Sequence, residues 1–332
     1  MRDLKILTDI RISRSPQWTE KTRHLGDASL KKMKSLKVPG QLMPFLNLIQ
    51  ILKNIKKFDC IINADIKTAQ LFGLCRSLFR IKTPKHIVLE LMLDEEQDNL
   101  YWKLKRSIQR FIFSSVDVIF ISSTHEIAIY AKRLNKSEKH FKFLPFHTNI
   151  MEPGKMKCQD YVLSAGRTGR DYGVLAEAVR DLDMEVIVVG DEHSVKGINF
   201  PSNVTVLVEV PYMKYLDLLY NCRFVVVPLR KVVKSTGQVA FLEAMATGKP
   251  VIATETVGTK DYIQSGINGI LVPPEDPVSL REAIHSLIKN PSLENEISLN
   301  ALESVKNLYT LEKYCSTILN TAAEVVRGNN LQ

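Results

Sequence analysis

The sequence predicts an α/β protein of two domains, each built on a doubly wound parallel sheet. Three observations carry that expectation. The chain has 332 residues, enough for two cores of ordinary size. Its strand-like stretches, such as EVIVVG at 185–190 and VVVPL at 225–229, are continuous apolar runs of the kind buried on both faces. These runs alternate with amphipathic stretches at a spacing that permits right-handed crossovers.

In the first half, LKILTDI, FDCIINAD, KHIVLELM and VDVIFIS read as strands. The helices between them are QLMPFLNLIQILKNIKKF, TAQLFGLCRSLFR, NLYWKLKRSIQRFIF and HEIAIYAKRLN. The Pro- and Gly-bearing segment PFHTNIMEPGKMKCQD marks a boundary, giving domains at 1–150 and 151–310. In the second domain the strands are DYVLSAG, MEVIVVG, NVTVLV, RFVVVPL, KPVIATE and NGILVPP. GVLAEAVRDL, YMKYLDLLYNC, QVAFLEAMATG and PVSLREAIHSLIKN are its helices. Residues 311–332 carry one more amphipathic helix, expected to pack back on the first domain. Two such domains in tandem form a cleft, with ligands at the carboxyl ends of the strands.

Charge and cysteine content narrow the function classes. The net charge is +9, but residues 1–150 carry +13 and the remainder −4. A basic half points to a polyanionic partner, and an anionic membrane surface is favoured because no nucleic-acid recognition motif accompanies the charge. No apolar run reaches the ~20 residues needed to span a bilayer, and the start lacks a secretion-signal core. Five scattered cysteines without Cys-x-x-Cys spacing read as reduced thiols in a cytoplasmic protein, with no zinc site.

The second domain carries the chemistry. In VVVPLRKVVKSTGQVAFLEAMATGKPVIATE a strand delivers the chain, through Ser235-Thr236-Gly237-Gln238, to a helix ending at Gly248. Ser235 or Thr236 is expected to cap it, and Gly237 admits close approach to the backbone. Free N–H groups and the positive end of the helix dipole make an anion site suited to phosphate. Glu243 lies two turns in, on a face of small apolar neighbours, where a carboxylate needs donors; the vicinal hydroxyls of a ribose would supply them. A solvated helical Glu is the plainer alternative. A second anion site is SAGRTGRDYG, where Arg167 and Arg170 follow the strand end at Gly166 and can hold phosphate oxygens.

GRTGRDYGVLAEAV, VIVVGDE, LEAMATGKPVIATE and NGILVPPEDPVSLREAI, taken in order over residues 160–310, resemble the C-terminal domain of GT-B glycosyltransferases. The similarity is strongest to the large retaining family numbered four (glycosyl transferases group 1). The resemblance implies two Rossmann-like domains whose parallel sheets face each other across a cleft, the first holding an acceptor and the second a nucleotide-sugar donor. Together with the anion sites read above, it puts Gly166, Arg167, Arg170, Gly190, Ser235, Thr236, Gly237, Gln238 and Glu243 at the donor, with Arg167 and Glu243 at positions that match the family's motifs.

The chain also departs from the family pattern. Of the Glu-seven residues-Glu signature, Glu243 matches the ribose-gripping second member, but Ser235 stands at the first. Tyr172 stands where a Lys is usual, leaving Arg170 as the substitute cation, and the glycine-rich loop after the first strand is missing. For acid–base help from the first domain the candidates are Glu90, Asp94 and His125, together with the cationic Arg167 and Arg170 for the leaving group. Asp181-Leu182-Asp183 reads as a solvated turn, so the expected reaction needs no metal or other cofactor.

The expectation is a hexosyl transfer, retaining by resemblance, to a glycan or lipid-linked acceptor in cell-surface polysaccharide or glycolipid synthesis. It would run in the cytoplasm or peripherally on the cytoplasmic membrane face. The alternatives are a non-catalytic glycosyltransferase-like partner subunit, favoured by Ser235, and a nucleotide-sugar epimerase of the same fold.

Overall fold

Residues 4–28, 39–94, 97–150 and 159–328 are described by a computed structural model. The expected boundary segment overlaps 151–158, which lies outside the described residues, as does Cys158. The chain divides into one unit of residues 1–145 with 312–332 and a second of residues 146–311.

In the first unit the elements run β1 (Ile6–Thr8), α1 (Pro16–Lys21), β2 (Thr22–His24), α2 (Leu25–Ala28), α3 (Met43–Asn54), β3 (Cys60–Asn63), α4 (Ile66–Phe79), β4 (Lys85–Val88), α5 (Leu100–Ser114), β5 (Val118–Ile121), α6 (Ile127–Leu134) and β6 (Phe141–Phe143). The sheet is wholly parallel, in the order β2-β1-β3-β4-β5-β6. Its inner strands are the apolar runs, and Ile61, Ile87, Val118 and Ile119 are fully buried. Because β3 to β6 are added in one direction and parallel crossovers are right-handed, α3, α4, α5 and α6 share one face of the sheet.

The second unit continues with β7 (Tyr161–Ala165), α7 (Tyr172–Ala178), β8 (Glu185–Gly190), α8 (Glu192–Val195), β9 (Val204–Val208), α9 (Tyr212–Asn221), β10 (Phe224–Val227), α10 (Gln238–Ala246), β11 (Val251–Thr254), β12 (Ile270–Val272), α11 (Pro277–Lys289) and α12 (Pro291–Leu308). Its sheet is also parallel, in the order β12-β11-β10-β7-β8-β9. Val162, Val188, Val226 and Ile252 of the strands join Ile284 and Leu287 of α11 in one core. The last helix, α13 (Leu311–Arg327), returns to the first unit, where Tyr314 and the Lys142–Glu324 pair fasten it. Two parallel sheets of six strands with flanking helices are the GT-B fold.

Several elements escaped the sequence reading. β2 and β6 are edge strands of three residues, too short to show a pattern, and α1 owes its start to Ser15, whose side chain caps it ahead of Pro16. α12 did leave a signal: Ile297, Ala301 and Val305 recur at four-residue spacing and are on its buried face.

Candidate nucleotide-sugar site

The strand order of the second unit marks a point on its carboxyl edge. From β7 the sheet grows through β8 and β9 in one direction and through β10, β11 and β12 in the other. The loops leaving β7 and β10 start at this topological switch point, where such sheets bind ligands.

The loop leaving β7 is built around Arg170. Gly166 has φ 139°, and a Cβ there would overlap the Arg170 guanidinium. Arg170 is buried; its Nε donates to Ala165 O at 3.1 Å and its Nη1 to Thr168 O at 3.1 Å. Burial lowers its pKa. The structure thus places Arg170 as a strut, with two of its nitrogens committed to the loop. The loop is further zipped to the β10 side, where Arg230 N donates to Gly169 O at 2.9 Å and Asp171 N to Pro228 O at 3.0 Å. Tyr172 donates its hydroxyl to Gly166 O at 2.6 Å and Val189 O at 3.1 Å, tying the ends of β7 and β8. Burial pushes that phenol up to about 12. Arg167 is the exposed cation of the loop, and its Nη2 donates to Glu209 Oε2 at 3.1 Å. Gly190, at the end of β8, lacks a Cβ that would crowd Ser194 Oγ to 2.7 Å.

The loop leaving β10 leads into α10. The expectation that Ser235 or Thr236 caps this helix is not met. Gly237 occupies the cap in the left-handed region, φ 93°, and no side-chain cap bond forms. The physical reason is the turn itself: a Cβ at Gly237 would lie 3.1 Å from Leu229, so glycine takes the cap and moves the hydroxyl residues outside it. The first N–H groups of α10 consequently have no side-chain acceptor from the cap. Ser235, Thr236 and Gln238 are buried, and Thr236 Oγ1 and Gln238 Nε2 have no hydrogen-bond partner. Buried polar atoms are rarely left so, and a bound ligand is one explanation. Gly258 closes the back of this loop, since a Cβ there would come within 2.8 Å of Thr236 N.

Glu243 is half-buried, and its donors come from α9. Tyr212 Oη donates to Oε1 at 3.0 Å and Tyr215 Oη to Oε2 at 2.8 Å. Burial raises the Glu243 pKa, and the two hydroxyls pull it back. Tyr212 and Tyr215 were missed because their relation to Glu243 is made by packing of α9 beside α10, across a sequence separation of 28 residues and more. The i, i+3 pairing of two tyrosines at a helix start was the available signal.

The sheet of the first unit reverses between β1 and β3. At that point Asp9 accepts from Ala64 N at 2.7 Å and from Asn63 Nδ2 at 2.8 Å. Burial pushes its carboxyl up to about 6. Sequence reading missed Asp9, although its place directly after the first strand was the signal. The three residues that reading did name have separate surroundings. Glu90, at φ 48°, accepts the Tyr314 hydroxyl at 2.7 Å, and burial raises its pKa. Asp94 is exposed and pairs with Lys105 at 3.1 Å. His125 is exposed in a 3₁₀ turn, its backbone N–H bonded to Ser123 Oγ at 3.1 Å. Asp181 and Asp183 lie in the turn before β8, away from the carboxyl edge. Among the described residues no group of three or more His, Cys, Asp or Glu side chains is placed to hold a metal ion.

Residues 159–290 match the family described as Glycosyl transferases group 1. An uncharacterized glycosyltransferase of Methanocaldococcus jannaschii is 32% identical over 139 residues, 40% of this chain and 39% of that protein. The aligned part thus spans well under two thirds of that relative. Among solved structures, Anabaena HepE in complex with UDP superposes with TM-score 0.70 at 14% identity, covering 97% of this chain and all of that one. The sucrose-phosphate synthase of Thermosynechococcus elongatus gives TM-score 0.69 at 16% identity over 98% and 90% of the two chains. At such identities these structures speak for the fold.

Proposed function

We infer, from a chain whose residues 159–290 match the glycosyl transferases group 1 family, a transferase that moves a hexosyl group from a nucleotide-sugar donor to a glycan or lipid-linked acceptor. The observation that carries this reading is the set of groups gathered at the β7/β10 switch point. It combines the open N-terminus of α10, two buried polar atoms without hydrogen-bond partners, Thr236 Oγ1 and Gln238 Nε2, and the exposed Arg167 guanidinium. That set suits a diphosphate. Binding of UDP by the structurally similar HepE supports a nucleotide as the occupant.

In the reaction the bond from the anomeric carbon to the diphosphate oxygen breaks, and the electron pair leaves on the diphosphate. Arg167 and the α10 N–H groups meet that charge with fixed donors and a dipole, a form of stabilisation that requires no reorganisation as the bond breaks. Arg170 keeps the loop in the shape that presents Arg167. Glu243 holds the ribose, and the acceptor hydroxyl attacks the anomeric carbon with retention. Its proton passes to the departing diphosphate oxygen. No step is assigned to a metal, since the Arg167 guanidinium and the α10 terminus supply the positive charge.

A second reading, a non-catalytic subunit that binds the nucleotide, draws on Ser235, buried where the family carries a carboxylate. Release of nucleoside diphosphate from a panel of nucleotide-sugars, with and without glycan and lipid acceptors, decides between them. Acceptor-dependent release is expected. Nucleotide binding without release under any acceptor would support the second reading, and no binding at all would remove both.

A further inference from the structure

Away from the nucleotide crevice, the helical layer of the first unit has an unusual composition. α3 with the 3₁₀ turn that follows it, α4 and α5 contain no Asp or Glu. They carry Lys53, Lys56, Lys57, Lys67, Lys103, Lys105, Arg106 and Arg110, besides the buried Arg76. α3 packs on α4 and α4 on α5, so the three form one continuous surface. Lys103 pairs with Asp98 and Lys105 with Asp94, both at the start of α5, and the buried Arg76 pairs with Asp117.

The same layer exposes large apolar side chains. On α5, Leu100, Tyr101, Leu104, Ile108 and Phe111 are all exposed, Leu100 by 82%. At 100° per residue they fall within an arc of about 100°, with Lys103, Arg106 and Arg110 on one side of it and Lys105 on the other. On α3, Phe45, Ile49 and Leu52 form an exposed stripe at i, i+4 and i+7, turned away from the buried Pro44 and Ile51. Leu78 and Phe79 are exposed at the end of α4. Among the described residues of this unit, only Met92 and Ile129 are exposed large apolar side chains outside the layer and the turn before α3. A groove of about 290 Å³ lined by Pro44, Phe45, Leu71, Leu74 and Ile112 opens on it.

We propose that the α3–α4–α5 face docks on an anionic phospholipid bilayer, its apolar stripes entering the headgroup region and its lysines and arginines meeting lipid phosphates. Helices that carry cations and no carboxylates of their own attract a negative surface, and the exposed apolar stripes between those cations require an apolar phase to enter; a bilayer interface offers both at once. A nucleic acid would satisfy the charge and leave the apolar stripes in water. A second copy would cover the apolar stripes but bring like charges together. No helix among the described residues is long and apolar enough to cross a membrane, so the contact is a surface one.

The test uses the full chain in co-sedimentation with vesicles of phosphatidylcholine alone or mixed with phosphatidylglycerol. Binding is expected to the mixed vesicles only and to weaken as salt is raised. The variant Lys53→Gln/Lys56→Gln/Lys67→Gln should bind them about tenfold more weakly or worse. Leu104→Ser/Ile108→Ser should also lose binding, and its thermal unfolding should stay unchanged because both side chains are exposed. Nucleotide affinity measured by calorimetry should be the same in all of them, which separates this face from the crevice. Equal binding by variants and wild type would overturn the proposal. So would a dimer dispersed by the serine variant, or duplex DNA binding, where vesicles are not bound.

Discussion

Tyr215 gives its hydroxyl to Glu243 across 2.8 Å, from one helix to its neighbour. With Tyr212 on the other oxygen, a half-buried carboxylate on a mostly apolar helix has its donors before any ligand arrives. A carboxylate offers about four lone-pair sites, so both hydroxyls can stay while a ribose diol adds its own hydrogen bonds. The tyrosines thus aim the group and leave it able to bind.

Glu243→Ala should therefore weaken nucleoside diphosphate binding ~10-fold or more, the loss of a charged hydrogen-bond pair. It should also lower stability by about 1–3 kcal/mol, because Tyr215 keeps a largely buried hydroxyl without its acceptor. Tyr212→Phe, at an exposed position, should change stability within ~0.5 kcal/mol. Calorimetry and thermal melts read both quantities. Unchanged affinity in a folded Glu243→Ala protein would take Glu243 out of the site.

The two arginines of the β7 loop should separate into different phenotypes. Arg167→Ala removes an exposed side chain, so unfolding should be unaffected while nucleotide affinity falls ~10-fold. Arg170→Ala frees the Ala165 and Thr168 carbonyls and empties the space over Gly166, so stability should drop by about 2–4 kcal/mol and binding with it. Arg170→Lys should not restore the protein, since one ammonium cannot span both carbonyls in the same plane. A Lys variant as stable as wild type would show that Arg170 is no strut.

These contrasts also show what could be read from the sequence. The strands of the second unit were legible because VIVVG and VVVP are continuous apolar runs, and the crevice followed from where the loops with Arg167 and Gly237 had to leave them. The roles within those loops were not legible. Arg170 and Arg167 stand three residues apart with the same chemistry, and only the fold decides that one turns inward onto carbonyls. Ser235 and Thr236 look like caps, but the left-handed turn at Gly237 takes that position. Asp9 was hidden because its hydrogen-bond donors, Asn63 and Ala64, are brought beside it by the pairing of β1 with β3.

Asp9 should leave a mark on the pH dependence of stability. Its carboxyl titrates at about 6 in the fold against 3.8 in the open chain, because burial disfavours the charge. Below pH 4 both states are protonated and the fold has its full stability; between 4 and 6 the unfolded chain releases the proton first, so stability falls as pH rises. The contribution is roughly 3 kcal/mol. Asp9→Asn removes the titration but sets an amide against the Asn63 and Ala64 donors, so its absolute stability carries a constant offset. The informative quantity is the difference between the two proteins in denaturant midpoint across pH 4–6.5. Wild type should lose stability relative to the variant over that window, and parallel curves would show that Asp9 is solvated.

The Arg167–Glu209 pair yields the prediction most specific to the nucleotide crevice. Both side chains are more than half exposed, and Glu209 sits at φ 54° where β9 gives way to α9. A diphosphate arriving at Arg167 has to take the guanidinium from this carboxylate and also meets the carboxylate's repulsion. Exposed pairs of this kind are worth roughly 0.2–1 kcal/mol, so removing the competitor has a bounded effect. Glu209→Gln should bind nucleoside diphosphate about two- to fivefold more tightly at low salt. The advantage should shrink as salt is added, since screening weakens the pair in wild type. In an Arg167→Ala background the same substitution should do much less, because the cation under competition is gone. A Glu209→Gln protein that binds nucleotide more weakly, or gains equally with and without Arg167, would mean that Glu209 serves the ligand by another route.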